Sequence, residues 1–230
     1  PALAVTTIRS SPSRGWLRRT LVGAQFAIAA GLIACTVVVR DQLAYMRSQD
    51  LGLRGEQVVV VQIGYPGVKD SKDLFVERLL LHEAVAVATA LRHAPGTAPP
   101  ESGVFAGPGG QSATLGLISA DPGFLALFDI PLLAGTDLLH ARDARGSWRN
   151  NEMILNRSAA RALGFARFDD VVARQMEYDY RGQTRRGVVV GIMEDFHVES
   201  LHRPLQPMAL TNEFPSAKVA ARLDPVAPGL

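Results

Sequence analysis

From Leu21 to Val39 the chain runs nineteen residues without a charge, LVGAQFAIAAGLIACTVVV, and no other feature limits its folding as strongly. As a helix the run is about 28 Å long, close to the roughly 30 Å hydrocarbon core of a bilayer. A buried helix of a soluble protein would carry a polar stripe at this length, yet Gln25 and Thr36 are the most polar members and no stripe is visible. Trp16 and Tyr45 flank the run at a helical separation of roughly 43 Å, which suits aromatic anchors at two membrane interfaces. Residues 16–46 are expected to form one transmembrane helix that continues outside the membrane, with Arg40 to Leu53 as a rigid stalk.

Charge supports this reading. The whole chain has 24 Lys+Arg against 22 Asp+Glu and an isoelectric point near 9.0, a balance that could suggest nucleic acid. Four arginines (Arg9, Arg14, Arg18, Arg19) precede the span with no acid beside them, so residues 40–230 are net acidic. The basicity is a topology signal, and no aromatic-basic interleaving points to a nucleic-acid partner. Four arginines before the span against Arg40, Arg47 and Arg54 after it place the N-terminus in the cytoplasm and residues 40–230 outside. Two processing readings compete: Leu32-Ile33-Ala34-Cys35 resembles a lipoprotein cleavage box, and Arg18-Arg19 could open a twin-arginine signal. Thr36-Val37-Val38-Val39 stays apolar where a lipoprotein turns polar, which favours the uncleaved helix; Cys35 is then a small apolar residue facing lipid or a neighbouring helix. The composition, 47% hydrophobic and 20% charged, excludes a disordered chain, and one cysteine excludes a disulfide framework.

The remainder reads as α+β. Gln57–Ile63 is a β-branched strand bounded by Gly52 and Gly55 before it and Gly64 and Gly67 after. Asp70 to His93 is expected as a helix, capped by Asp70 or Ser71, its alanine-rich part Glu83–Ala90 packing closely on a sheet. A return strand near Val104 would complete a βαβ-like start. Short elements follow: strands at Leu115–Ser119 and Ile130–Leu133, a helical turn at Pro122–Phe128 and a helix at Ser158–Leu163 ending at Gly164. Strands at Met176–Tyr180 and Gly187–Met193 bracket a hairpin turn at Arg181-Gly182-Gln183-Thr184, and a strand near Val219–Leu223 completes the outer sheet. No internal repeat is visible.

Two stretches together resemble the MacB/FtsX-type permeases of ABC transporters. One is Leu17 to Leu53, with its basic start, Gln-Phe-Ala in the apolar run and terminal Asp-Leu-Gly. The other is Gly187 to Leu210, GVVVGIMEDFHVESLHRPLQPMAL, with its Asp-Phe-His and Ser-Leu-His. Asp121–Gly135 and Ile154–Gly164 are similar to further family segments in the right order, although Gly135-Thr136 stands where relatives often have Gly-Arg.

The resemblance implies α+β architecture: one N-terminal transmembrane helix, then a mixed-sheet extracytoplasmic domain of the MacB-like periplasmic core type with an inserted second α+β lobe. The parts expected are a cytoplasmic linker at 1–15, the helix and stalk at 16–46, and the core domain at 47–230. Within that domain the outer lobe would take 55–104 and 187–225 and the inserted lobe about 105–186. It further implies a bacterial plasma-membrane permease subunit, cut from a longer chain with three more membrane helices, that couples ATP-driven helix motion to export or extraction of a substrate. The implied partners are a separate ABC ATPase subunit, a second permease copy or half, the lipid bilayer and a periplasmic adaptor. A membrane- or lipid-anchored ligand-binding domain is the alternative.

No catalytic, cofactor or metal set is expected. The densest polar cluster, Glu194 to His202, has the residue types of a zinc site, but His197 and His202 do not share a helix face and H-E-x-x-H is absent. Asp195 and His197 are instead expected to hydrogen-bond the backbone of a turn leaving a buried strand. His82, His93 and His140 are scattered. Gly107-Pro108-Gly109-Gly110 lacks the lysine and helix of a phosphate loop and reads as a turn. Ser112 and Ser119 lack a nucleophile setting, and Arg142, Arg145 and Arg149 read with Asp143 as a solvated loop.

Overall fold

The computed structural model describes residues 12–48, 52–55, 57–63, 72–98, 100–138, 151–198, 204–213, 216 and 218–224. The chain divides into two units between Gln49 and Asp50.

Among its described residues the first unit is one helix, α1 (Pro12–Ser48). Its Gly15–Tyr45 stretch is long and apolar enough to cross a membrane, and every side chain from Gly15 to Tyr45 is exposed. An apolar surface on all sides of a helix is stable only against lipid or other helices. Two hydroxyls within it close onto their own backbone: Thr20 Oγ1 donates to the Trp16 carbonyl at 3.1 Å and Thr36 Oγ1 to the Leu32 carbonyl at 2.8 Å. That local bond is how a hydroxyl is satisfied where water is absent.

The second unit holds two sheets. The smaller contains β1 (Val58–Gln62), β10 (Lys218–Leu223) and β2 (Val85–Leu91) in that order, with β10 antiparallel to both neighbours. Helix α2 (Lys72–Leu80) turns Phe75, Val76 and Leu79 toward Ile63, Ala90 and Val219 on one face of this sheet. β1, α2 and β2 thus form a βαβ unit whose parallel strands are split by β10.

The helix expected over 70–93 stops at Leu80, and its second half is β2; the expected caps Asp70 and Ser71 lie outside the described residues. The signal for a strand is the alternation Val85-Ala86-Val87-Ala88-Thr89-Ala90, which places the β-branched residues at period two. His82 makes the break, its carbonyl accepting from Val85 N at 2.9 Å and its Nδ1 from Ala84 N at 3.2 Å.

The larger sheet runs β5 (Leu132–Gly135), β8 (Gln183–Met193), β6 (Glu152–Asn156), β9 (Met208–Thr211), β4 (Ser112–Ser119), β3 (Glu101–Ala106) and β7 (Gln175–Tyr180). Because β8 also pairs with β7, strands β8-β6-β9-β4-β3-β7 close into a ring, which removes their edges. Helix α4 (Arg157–Ala162) adds Ala159 and Ala160 to the core of Phe105, Leu115, Leu117, Met153, Leu155, Met176, Tyr178 and Val189. The opposite faces of β4, β6 and β9 supply Ile118, Ile154, Met208 and Leu210 to a second core, completed by α3 (Phe124–Phe128), Phe196 and residues Leu91 and Ala220 of the small sheet.

Gly187–Met193 does not join the outer sheet, as the lobe boundaries 187–225 and 105–186 required. The small sheet takes only 58–62, 85–91 and 218–223. β8 is one strand of eleven residues that leaves the hairpin at Arg181-Gly182, so its second half stays in the ring with its first. That hairpin has φ of 53° at Arg181 and 74° at Gly182, the two positive values of a type I′ turn.

Candidate functional site

A tightly constrained place in the second unit is where the chain enters it. Gly52 has φ +70°, and a Cβ there would lie 2.8 Å from the Asp195 carbonyl oxygen and 3.2 Å from Phe196 Cα. Only glycine permits this backbone approach. Leu53 packs on the core that holds Phe196, and Arg54 N donates to the Phe128 carbonyl at 2.7 Å. Arg54 also pairs with Asp129 at 3.2 Å, and Arg222 donates to the Arg54 carbonyl at 3.1 Å. Gly52 and Asp195-Phe196, far apart in sequence, are therefore neighbours in the fold.

The Asp195 side chain faces elsewhere. Its Oδ1 accepts from Ser158 N at 2.9 Å and its Oδ2 from Ser158 Oγ at 2.8 Å, at the first turn of α4. Beside it Glu194 accepts from Asp195 N at 3.0 Å and pairs with Arg157. The N-cap of α4 is Asn156, whose Oδ1 accepts from Ala159 N at 2.9 Å and from Met208 N at 2.8 Å, while its Nδ2 donates to the Gln206 carbonyl at 2.9 Å. Asp195 thus bonds a helix start across the fold rather than the turn that carries it. Both carboxylate oxygens are thereby tied to the first turn of α4. Glu199, Ser200 and His202 lie outside the described residues.

Two carboxylate clusters hold the β7–β8 hairpin to the rest of the domain. Glu101 accepts from the Tyr180 hydroxyl and pairs with Arg92 at 3.1 Å and Arg181 at 3.3 Å. Glu213 accepts from the Tyr178 hydroxyl and from Arg185. Burial raises the Tyr178 phenol strongly, and its bond to Glu213 adds to that. Burial alone would raise the Glu101 carboxyl, but the Tyr180 hydrogen bond and the charges of Arg92 and Arg181 outweigh it and hold the group below its ordinary value. His93 is lowered by burial and by Arg92. The two lowered values, of Glu101 and His93, make the folded state take up fewer protons in acid than the unfolded chain does. Stability present above the ordinary histidine value of about 6.5 is expected to fall with pH through the lowered His93 value, then again through that of Glu101. Melting temperature against pH reads this, with Glu101→Gln flattening the lower step; a midpoint that rises on acidification would contradict it.

A third buried pair joins Lys72 at the start of α2 to Asp121 at 2.5 Å, with Ser216 donating to the same carboxylate at 3.1 Å. No local spacing announces these clusters, because apart from Arg92 and Glu101 their bonded partners are 28 to 95 positions apart.

The other singled-out residues separate. Cys35 is exposed on α1. Gly107–Gly110 is a tight loop closed by Gly107 N to the Gln111 carbonyl at 2.7 Å. Ser112 is exposed and Ser119 buried on β4. His140, Arg142, Asp143, Arg145 and Arg149 lie outside the described residues, as do residues 49–51 of the stalk. Among the described residues no cluster of three or more His, Cys, Asp or Glu could hold a metal. Gly135 has φ +76°, and a Cβ there would run into the Val190 backbone; Thr136, at the family's arginine position, donates its N–H to the Val190 carbonyl at 2.9 Å.

No family model and no curated protein matches the sequence. Three solved structures are similar to this one. The periplasmic region of MacB from Actinobacillus actinomycetemcomitans is 12% identical with a TM-score of 0.48, over 77% of this chain and 79% of that one. A domain of a candidate permease protein from Porphyromonas gingivalis is 18% identical with a TM-score of 0.42, over 74% and 75%. The extracellular domain of the ABC-type transporter YknZ from Gram-positive bacteria is 10% identical with a TM-score of 0.41, over 66% and 72%.

Proposed function

We propose that this chain is part of the permease subunit of an ABC transporter of the MacB/FtsX type. In this reading α1 crosses the cell membrane, residues 50–230 stand outside the cytoplasm, and ATP is hydrolysed on a separate subunit. The chain performs no covalent chemistry; its task is to pass displacement of the membrane helix into the outer domain during export or extraction of a substrate. The observation that carries the reading is the meeting of the two resembling stretches at Gly52 and Asp195-Phe196. Gly52 and Leu53, the end of one resembling segment, pack on the core around Asp195-Phe196 of the other, where the chain enters the domain. An entry point held by a glycine contact, a core leucine and a backbone hydrogen bond is stiff, and stiffness is what a transmitting element needs.

The experiment uses the full permease in a Cys35→Ser background. A membrane-impermeant maleimide is expected to label the Ser112→Cys variant in intact cells, and the Ser13→Cys variant only after permeabilisation; the reverse pattern overturns the orientation. In the same protein assembled with its ATPase, a flexible glycine linker after Met46 is expected to lower transport while ATP hydrolysis continues. Undiminished transport overturns the coupling.

A further inference from the structure

We infer that Asp195 is the joint through which a displacement at the chain's entry point reaches helix α4 and the strand ring, a route that deepens the proposed coupling role. The geometry is two-sided. The main chain of Asp195 lies against Gly52, and its carboxylate holds the Ser158 N–H and hydroxyl. The residue lies two positions past the end of β8, and α4 packs on β4, β6, β8 and β9. Asp195 therefore touches the entry segment with one part and the helix on the ring with another. Leu53 and Arg54 lead instead to the core and the end of α3.

A residue that only fills space would leave Gly52 and Ser158 independent, since neither is in contact with the other. Sites without shared partners add in free energy, whereas sites joined through a common partner do not. The test is a double-mutant cycle on the full chain, read by amide hydrogen exchange of Ala159–Leu163 in α4. Gly52→Ala places a Cβ against the Asp195 carbonyl at a positive φ, and Ser158→Ala removes one bond to the carboxylate while keeping the fold. Each single variant is expected to speed exchange in α4, by roughly 2- to 30-fold for loss of a helix-start bond. The double variant is expected to match the larger single effect rather than their product. Asp195→Ala is expected to remove the Gly52→Ala effect on α4, and Asp195→Asn, which keeps an acceptor for Ser158 N, to restore it. Factors that multiply, or a Gly52→Ala effect confined to α3, overturn the route. The cycle needs neither ATP nor cargo, so failure here leaves the membrane orientation to the labelling experiment, and failure of the labelling leaves the route intact.

Discussion

Replacing Phe196 by alanine is expected to destabilise the second unit by about 3–5 kcal/mol, the range for removing a fully buried aromatic side chain. Phe196 is 1% exposed, and its ring centroid lies 6.2 Å from that of Phe124, which in turn sits 4.9 Å from Phe128. The three rings form the part of the core shared by α3, the ring strands and the small sheet, so a cavity here has walls from three elements that cannot collapse together. The loss is read by urea unfolding as a lower midpoint at unchanged slope. A change below about 1 kcal/mol would mean that the site relaxes freely and that the entry segment rests on a soft surface. Phe196→Leu restores most of the volume and is expected to recover most of the loss.

Asn156→Ala is expected to cost about 3 kcal/mol, from the helix cap and from two backbone groups left without a partner. Asn156 is fully buried at the end of β6, and one side chain serves Ala159 N, Met208 N and the Gln206 carbonyl. Removal loses the cap of α4 and orphans a donor and an acceptor at the start of β9. For a domain of this size the expected fall in melting temperature is roughly 6–12 °C. A fall of less than about 2 °C would show that water replaces the amide at all three bonds.

The elements legible in the sequence were those with a local signature. Met176–Tyr180 alternates apolar and polar residues and forms a strand, Leu115–Ser119 and Val219–Leu223 form the strands expected of them, and the hairpin turn expected at Arg181-Gly182 is present. Two strands of the ring, β6 and β9, were not foreseen. Glu152–Asn156 and Met208–Thr211 are buried on both faces, so they show no period-two contrast and are too short to declare themselves by length. The stretch 83–90 falls in the helix expected over 70–93, yet its valines and threonine recur at every second position, and sheet pairing to β10 decides for the strand.

The candidate site shows the same division. Asp195 was expected to bond backbone from the sequence, but its partner, the start of α4, lies 37 positions away and no local spacing encodes it. In the sequence Gly52 reads as a strand boundary and the end of a resembling block; that it is a contact with Asp195 and Phe196 depends on the fold.

What the sequence alone determined is the nineteen-residue uncharged run with four unopposed arginines before it, because crossing a bilayer is a property of one contiguous segment and needs no tertiary partner. What only the tertiary structure decided is which strands close the ring and what the entry segment touches. Those follow from hydrogen bonds and close packing between residues distant in the chain, whose cost and gain exist only once both sides are in place.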